Sequence, residues 1–207
     1  MSLPESVVYD IPRRECVDVV DWSIDPDRAV LLIHDMQDHF VRAFDRESEP
    51  LRTVIPNIAS VRADARARGV PVVYTAQPGD QDPVERALLT DFWGPGLAAS
   101  DERIIDDLTP ADDDIRLVKW RYSAFARSDL AERMRMWGRD QLIIVGVYAH
   151  IGVMTTALDA FMRDVRPHVV RDAVADFSEA DHARAMDYVA TRCGRVETTV
   201  AVREALR

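Results

Sequence analysis

Two strand-like runs dominated by apolar residues, Ala29–His34 (AVLLIH) and Gln141–Val147 (QLIIVGV), restrict the folds open to this chain more than any other feature. A strand with one face in water alternates apolar and polar side chains. A run that is apolar at successive positions must be covered on both faces, as happens in a parallel sheet held between layers of helices. Other stretches have the character of the remaining strands: Val70–Thr75, Ile115–Val118, a strand beginning at Pro167–Val170, and Val196–Val200.

Helical spacing fills the intervals. Val54, Ile58, Val61 and Ala65 recur on one face of Leu51–Arg68, and Gly69 follows as a stop. Asp129 with Glu132 is read as the cap of a helix ending at Trp137–Gly138. Gly152–Arg163 reads as the helix after the fourth strand. Ser178 to Asp181 opens a helix through Arg192, and a short terminal helix closes the chain. The alternation predicts an α/β fold with a six-stranded parallel sheet and helices on both faces. No repeat or linker divides the 207 residues, so one domain is expected, with residues 1–28 as an N-terminal arm. Gln77–Ser100, with Pro78, Gly79, Gly94, Pro95 and Gly96, is too long for an ordinary connection and reads as a lid or binding loop.

Charge and cysteine usage narrow the function. A formal net charge of −10 argues against a nucleic-acid partner, so an anionic ligand would meet locally placed cations instead. Cys16 and Cys193 make neither a metal spacing nor a disulfide framework. No segment has the length of a signal core or membrane span, which points to a cytoplasmic chain without a membrane partner. Of 26 basic residues only Lys119 is lysine. An ammonium is compact and tunable where a guanidinium is a permanently charged fork, so this position is marked as one where arginine does not serve.

In an open parallel sheet, ligands sit beyond the carboxyl ends of the strands. The polar residues expected there are Asp35 after the first strand, Gln77 after the second, Lys119 after the third, and Tyr148 with His150 after the fourth. Taken singly each has a structural explanation, such as a helix cap or a salt bridge. Together they bring an acid, an amide, an amine and an aromatic hydroxyl to one edge. Asp35 and Lys119, read as lying at adjacent strand ends, suggest a coupled acid–base pair; its ionisation is left open, because burial and a neighbouring cation act in opposite directions. Phe40, Trp93, Tyr122 and Phe125 are candidates for an apolar wall or for ordinary core. No G-x-G-x-x-G turn follows the first strand, which disfavours a dinucleotide oxidoreductase.

The segments AVLLIHDMQDHF, YTAQPG, DFWGPG, KWRYSAF, GVYAHIGV and DAVADFSEADH, in this order, resemble the isochorismatase family from about Trp22 to the C-terminus. The resemblance implies a Rossmann-like strand order, no metal or other cofactor, and a homodimer or larger assembly. It implies hydrolysis of the enolpyruvyl (vinyl ether) side chain of isochorismate or 2-amino-2-deoxyisochorismate, with Asp35 as general acid and Lys119 orienting it. Gln77, Arg86 and the Tyr148–Gly152 backbone would bind the substrate, and Phe40, Trp93, Tyr122 and Tyr148 would line the wall. It also implies a cis Val147–Tyr148 peptide bond. Related cysteine hydrolases use an Asp–Lys–Cys triad, but the nucleophile position here holds Gly152, as in the ether-cleaving branch. A chain ending at Arg207, without the carrier segment common in siderophore relatives, favours stand-alone or phenazine-type use. The alternatives are an amidase of the cysteine-hydrolase type and a non-catalytic ligand-binding homologue.

Overall fold

The structure, a computed structural model, describes residues 3–13 and 16–207. Its centre is a parallel sheet of β1 (Ala29–His34), β2 (Val72–Ala76), β3 (Ile115–Val118), β4 (Gln141–Val147), β5 (Arg166–Ala175) and β6 (Arg195–Glu197). These lie in the order β3-β2-β1-β4-β5-β6. The chain builds outward from β1 to β3, then returns to lay β4 on the other side of β1. That reversal opens a crevice at the carboxyl ends of β1 and β4.

The apolar runs follow from two cores. Leu31 and Ile33 of β1, with Ile143 and Val145 of β4, enter one cluster with Val54, Ile58 and Val61 of a long helix. Val30, Leu32, Leu142 and Ile144 point the other way into a second cluster with Leu130, Met134, Ala157, Ala160 and Val189. All eight strand residues are fully buried. Each aliphatic side chain so covered contributes about 1.5–3 kcal/mol relative to exposure.

After β1 comes a single helical turn, α1 (Asp38–Val41), and then the long helix α2 (Leu51–Ala67). The lid region holds α3 (Pro83–Arg86) and α4 (Leu89–Trp93). The remaining helices are α5 (Leu130–Met136), α6 (Met154–Phe161), α7 (Glu179–Arg192) and α8 (Thr199–Ala205).

Several boundaries differ from the sequence reading. Val200 lies in α8 rather than in a strand, because the Thr198 hydroxyl accepts the Ala201 amide and starts a helix there. The helix after β4 begins with a wide π-type turn over Ala149–Val153, not at Gly152. Asp129 does not cap α5 with its side chain; it pairs with Arg133 at 2.8 Å. The stretch expected to be irregular, Gln77–Ser100, contains α3, which Asp82 caps through the Val84 amide at 2.7 Å, and α4. The arm is bound to the body: Val7 donates to Ala43 at 2.9 Å, and Gln141 bonds both Ser23 and Asp25.

Candidate active site

A cavity of about 570 Å³ opens at the crevice. Among its lining residues are Asp35, Gln77, Lys119, Tyr148 and Gly152 from the strand ends, Phe40 from α1, and Arg86 and Trp93 from the lid. Tyr122 follows β3, and Leu3–Ser6 of the arm complete the rim.

Asp35 is the first residue after β1 and sits in the left-handed region, at φ 50°. Aspartate tolerates that region better than most side chains, and here β2 holds it. The Asp35 amide donates to Thr75 oxygens, and the Thr75 hydroxyl donates to Asp35 Oδ1 at 2.7 Å. The other carboxylate oxygen, Oδ2, receives Lys119 Nζ at 2.8 Å, and both side chains are almost wholly buried.

The strand ends carrying this pair are not adjacent, contrary to the sequence reading: β2 lies between β1 and β3. Two strand spacings come to about 9–10 Å, a gap that the four-carbon stem of lysine can cross while delivering a point charge.

Burial by itself raises the Asp35 carboxyl. The Lys119 charge, nearby His34 and the bonds from Lys119 and Thr75 more than offset it, so Asp35 lies below the usual carboxylate range and is ionised.

Arg86 is a buried cation that lines the same cavity from the lid. Its Nε donates to Gly94 O at 2.6 Å and its Nη1 to Gln81 Oε1 at 2.7 Å, both neutral acceptors. No carboxylate among the described residues neutralises it, and desolvation lowers its pKa. Gly96 lets the lid pass over the guanidinium: its φ is +94°, and a Cβ there would lie 2.8 Å from Arg86 Nη1.

The aromatic wall is assembled largely as read. Trp93 Nε1 donates to the Tyr122 hydroxyl at 2.8 Å, and Phe40 and Tyr148 meet edge to face at 5.9 Å. The Tyr148 hydroxyl has its proton committed, donating to Phe40 O at 2.7 Å. Phe125 is absent from the wall. It belongs to the second core, with the Arg163 guanidinium 5.2 Å over its ring.

His150 also turns away from the cavity: its amide and its Nδ1 both donate to Asp176, at 2.6 and 2.5 Å. The Ile151 amide bonds Tyr148 O, so two of the amides expected to grip the substrate are already engaged. The Val147–Tyr148 peptide bond is cis, as the resemblance implied.

Sequence reading missed three positioning side chains. His34 is fully buried at the cavity and donates from Nδ1 to Val147 O at 2.8 Å. Thr75 fixes Asp35. Gln37, also fully buried, donates to both Gln77 O and Glu102 O and accepts from the Gln77 amide, tying the Asp35 turn to both ends of the lid region. The residue before Asp35 and the second residue after it could have been suspected, because polar side chains beside a buried strand need partners. Nothing in the periodicity marks Leu3–Ser6.

The family model described as Isochorismatase domain matches residues 29–201. The chain belongs to the isochorismatase family. It is 54% identical to Enterobactin synthase component B of Escherichia coli over 96% of this chain and 68% of that one. It is 47% identical to Phenazine biosynthesis protein PhzD1 of Pseudomonas aeruginosa over 98% of this chain and 99% of that one. A cysteine hydrolase from Pseudomonas syringae has the same fold, with a TM-score of 0.83 at 24% identity, covering 94% of this chain and 98% of that chain. Among the described residues no cysteine lines the cavity, and no group of three or more His, Cys, Asp or Glu side chains could hold a metal ion.

Proposed function

We propose that this protein is a hydrolase that removes the enolpyruvyl group from isochorismate or 2-amino-2-deoxyisochorismate, with Asp35 as the acid. The observation that carries this reading is the buried Asp35–Lys119 pair on a cavity wall to which the turn after β4 contributes a glycine, Gly152, and no nucleophile. Membership of the isochorismatase family, and relatives named for enterobactin and phenazine biosynthesis, support it.

The reaction needs one proton, one water and no covalent intermediate on the protein. Protonating the terminal methylene carbon of the vinyl ether leaves an oxocarbenium ion at the ether carbon. Water adds there and returns a proton to the Asp35 carboxylate. The resulting hemiketal breaks its bond to the ring oxygen, which takes up a proton, and pyruvate and a ring alcohol leave.

Held below its usual range by Lys119, Asp35 is ionised, so it must take up a proton when substrate binds. A dianion brings negative charge next to Asp35, engages Lys119 and Arg86, and displaces water. Each of these changes raises the Asp35 pKa. Arg86 suits a substrate carboxylate because it is buried without an anionic partner. Gln77 would bind polar ring substituents; Phe40, Trp93, Tyr122 and Tyr148 would enclose the ring; the backbone at Gly152 would border the enolpyruvyl group.

We read the whole 207-residue chain as one catalytic domain that works in the cytoplasm as a homodimer. No helix among the described residues is long and apolar enough to cross a membrane. Val84, Leu88 and Phe92, in and beside α3 and α4, are exposed apolar side chains of the kind a protein contact covers.

Offering isochorismate and its 2-amino analogue separately, with products read by mass spectrometry, tests the reading. Pyruvate should appear from at least one, and the faster substrate identifies the ring substituent. Release from neither would overturn the proposal.

A further inference from the structure

The residue before the proposed acid holds a position that its own chemistry does not explain. His34 is fully buried, and its Nε2 has no hydrogen-bond partner. Burial pushes the imidazole down to about 4, so the ring is neutral. With Nδ1–H committed to Val147 O, the ring has no proton to give the cavity.

What the ring does have is a position. It lies against the face of Gly152: a Cβ built there would stand 2.1 Å from His34 Cε1, 2.8 Å from Nε2 and 3.1 Å from Nδ1. Carbon atoms pack best at about 3.5–4.0 Å, so no side chain fits at 152 while the ring stays in place. The ring cannot easily withdraw. His34 pairs with Gly146 in the β1–β4 register, and a Cβ at 146 would come within 2.2 Å of His34 O. The backbone of His34 is thus pressed on one glycine and its ring on another, with the bond to Val147 O fixing the ring plane.

We infer that His34 is the residue that decides the reaction class of this site, because its ring takes the volume a nucleophilic side chain at position 152 would need. A side chain at 152 would enter the cavity that Asp35 and Lys119 line, with His34 Nδ1 itself 3.7 Å from Asp35 Oδ2. A thiol placed there would meet a carboxylate and an ammonium able to take its proton and stabilise a thiolate. With His34 present, the pair is left to act on substrate. The inference rests on the ether-hydrolase reading for what the pair does, but its packing argument uses no substrate.

The test is a double-substitution cycle. Gly152→Ala should lower the melting temperature, on the order of 5 °C, by overpacking the ring. The double variant His34→Ala/Gly152→Ala should melt higher than Gly152→Ala alone. In parallel, Gly152→Cys and His34→Ala/Gly152→Cys are treated with iodoacetamide at neutral pH, and labelling is read peptide by peptide. The thiol at 152 should label at least about ten-fold faster in the double variant, whose site has room for a thiolate beside Lys119. Buried Cys193, whose thiol is pushed up to about 11, is the internal slow reference. Additive melting shifts, a double variant melting no higher than Gly152→Ala, or equal labelling with and without His34 would each overturn the inference. None of these readouts involves ether cleavage, so their failure leaves the proposed function standing, and failure of the substrate assay leaves the packing result standing.

Discussion

The turn after β4 has an acid paired with a cationic or basic partner on each side, Asp35–Lys119 and His150–Asp176, and the two face different surroundings. Both carboxylates are buried. Asp35 lines the cavity and takes its bonds from side chains on β2 and from beyond β3, all within reach of a ligand. Asp176 is closed off: it accepts the His150 amide, His150 Nδ1 and the Phe177 amide, while its own amide donates to the Tyr9 hydroxyl. Tyr9 in turn bonds His182 of α7. The first pair is built around a space and the second around the backbone. A buried charged pair therefore signals chemistry only when one of its members also borders a void.

That contrast can be broken at several points. The largest effect is expected at Asp35. Asp35→Asn keeps the size and a partner for Thr75 but removes the proton donor, and kcat should fall about 10²–10⁴-fold. Steady-state kinetics on the folded variant decide it, and retention of more than about a tenth of wild-type kcat would remove Asp35 from its role.

Lys119→Arg comes next. It keeps the charge but puts a planar fork where a point charge reaches across β2. We expect kcat/KM to drop at least about ten-fold, and a near-normal value would mean that charge alone is required.

His150→Gln should invert the pattern, leaving kcat close to wild type while costing about 1.5–3 kcal/mol of stability, the worth of a hydrogen bond to a charged group. Chemical denaturation beside kinetics separates the two, and a kcat loss as large as that of Asp35→Asn would erase the distinction between the pairs.

The smallest effect is in pH. The bond to Asp176, with the aspartate's charge, raises the His150 pKa above 6.5 despite partial burial. Its stabilisation is therefore fully present below pH 6.5 and is lost as pH rises through the higher native value. Asp35 has the opposite sign. Its native pKa lies below 3.8, so its contribution is present above 3.8 and fades only as pH falls through the depressed native value. The melting difference between wild type and His150→Gln should accordingly narrow on going from pH 6 to alkaline pH, and a difference that widens would contradict the assignment.

Much of this was legible along the chain, for identifiable reasons. The limits of β1, β3 and β4 match the sequence reading because apolar runs and their polar ends leave little latitude. So does α7, whose Ser178 hydroxyl accepts the Asp181 amide as expected. The end of β6 was misread because Val196–Val200 has strand composition, while a threonine cap two residues before Val200 commits it to helix. Phe125 was misread because composition cannot say whether an aromatic ring faces a cavity or the core.

The sequence by itself determined that a doubly covered parallel sheet would form and that Asp35, Gln77, Lys119 and Tyr148 would reach one edge. These are local consequences of period, strand ends and residue identity. Only the tertiary structure decided that Lys119 reaches Asp35 across an intervening strand, that Arg86 is buried without an anion, and that His34 fills the space above Gly152. Each of these depends on strand order and on side chains meeting from distant parts of the chain. The number of carbons in a lysine stem and the missing Cβ of a glycine acquire meaning only once the distance they must span, or the ring they must admit, is set by the fold.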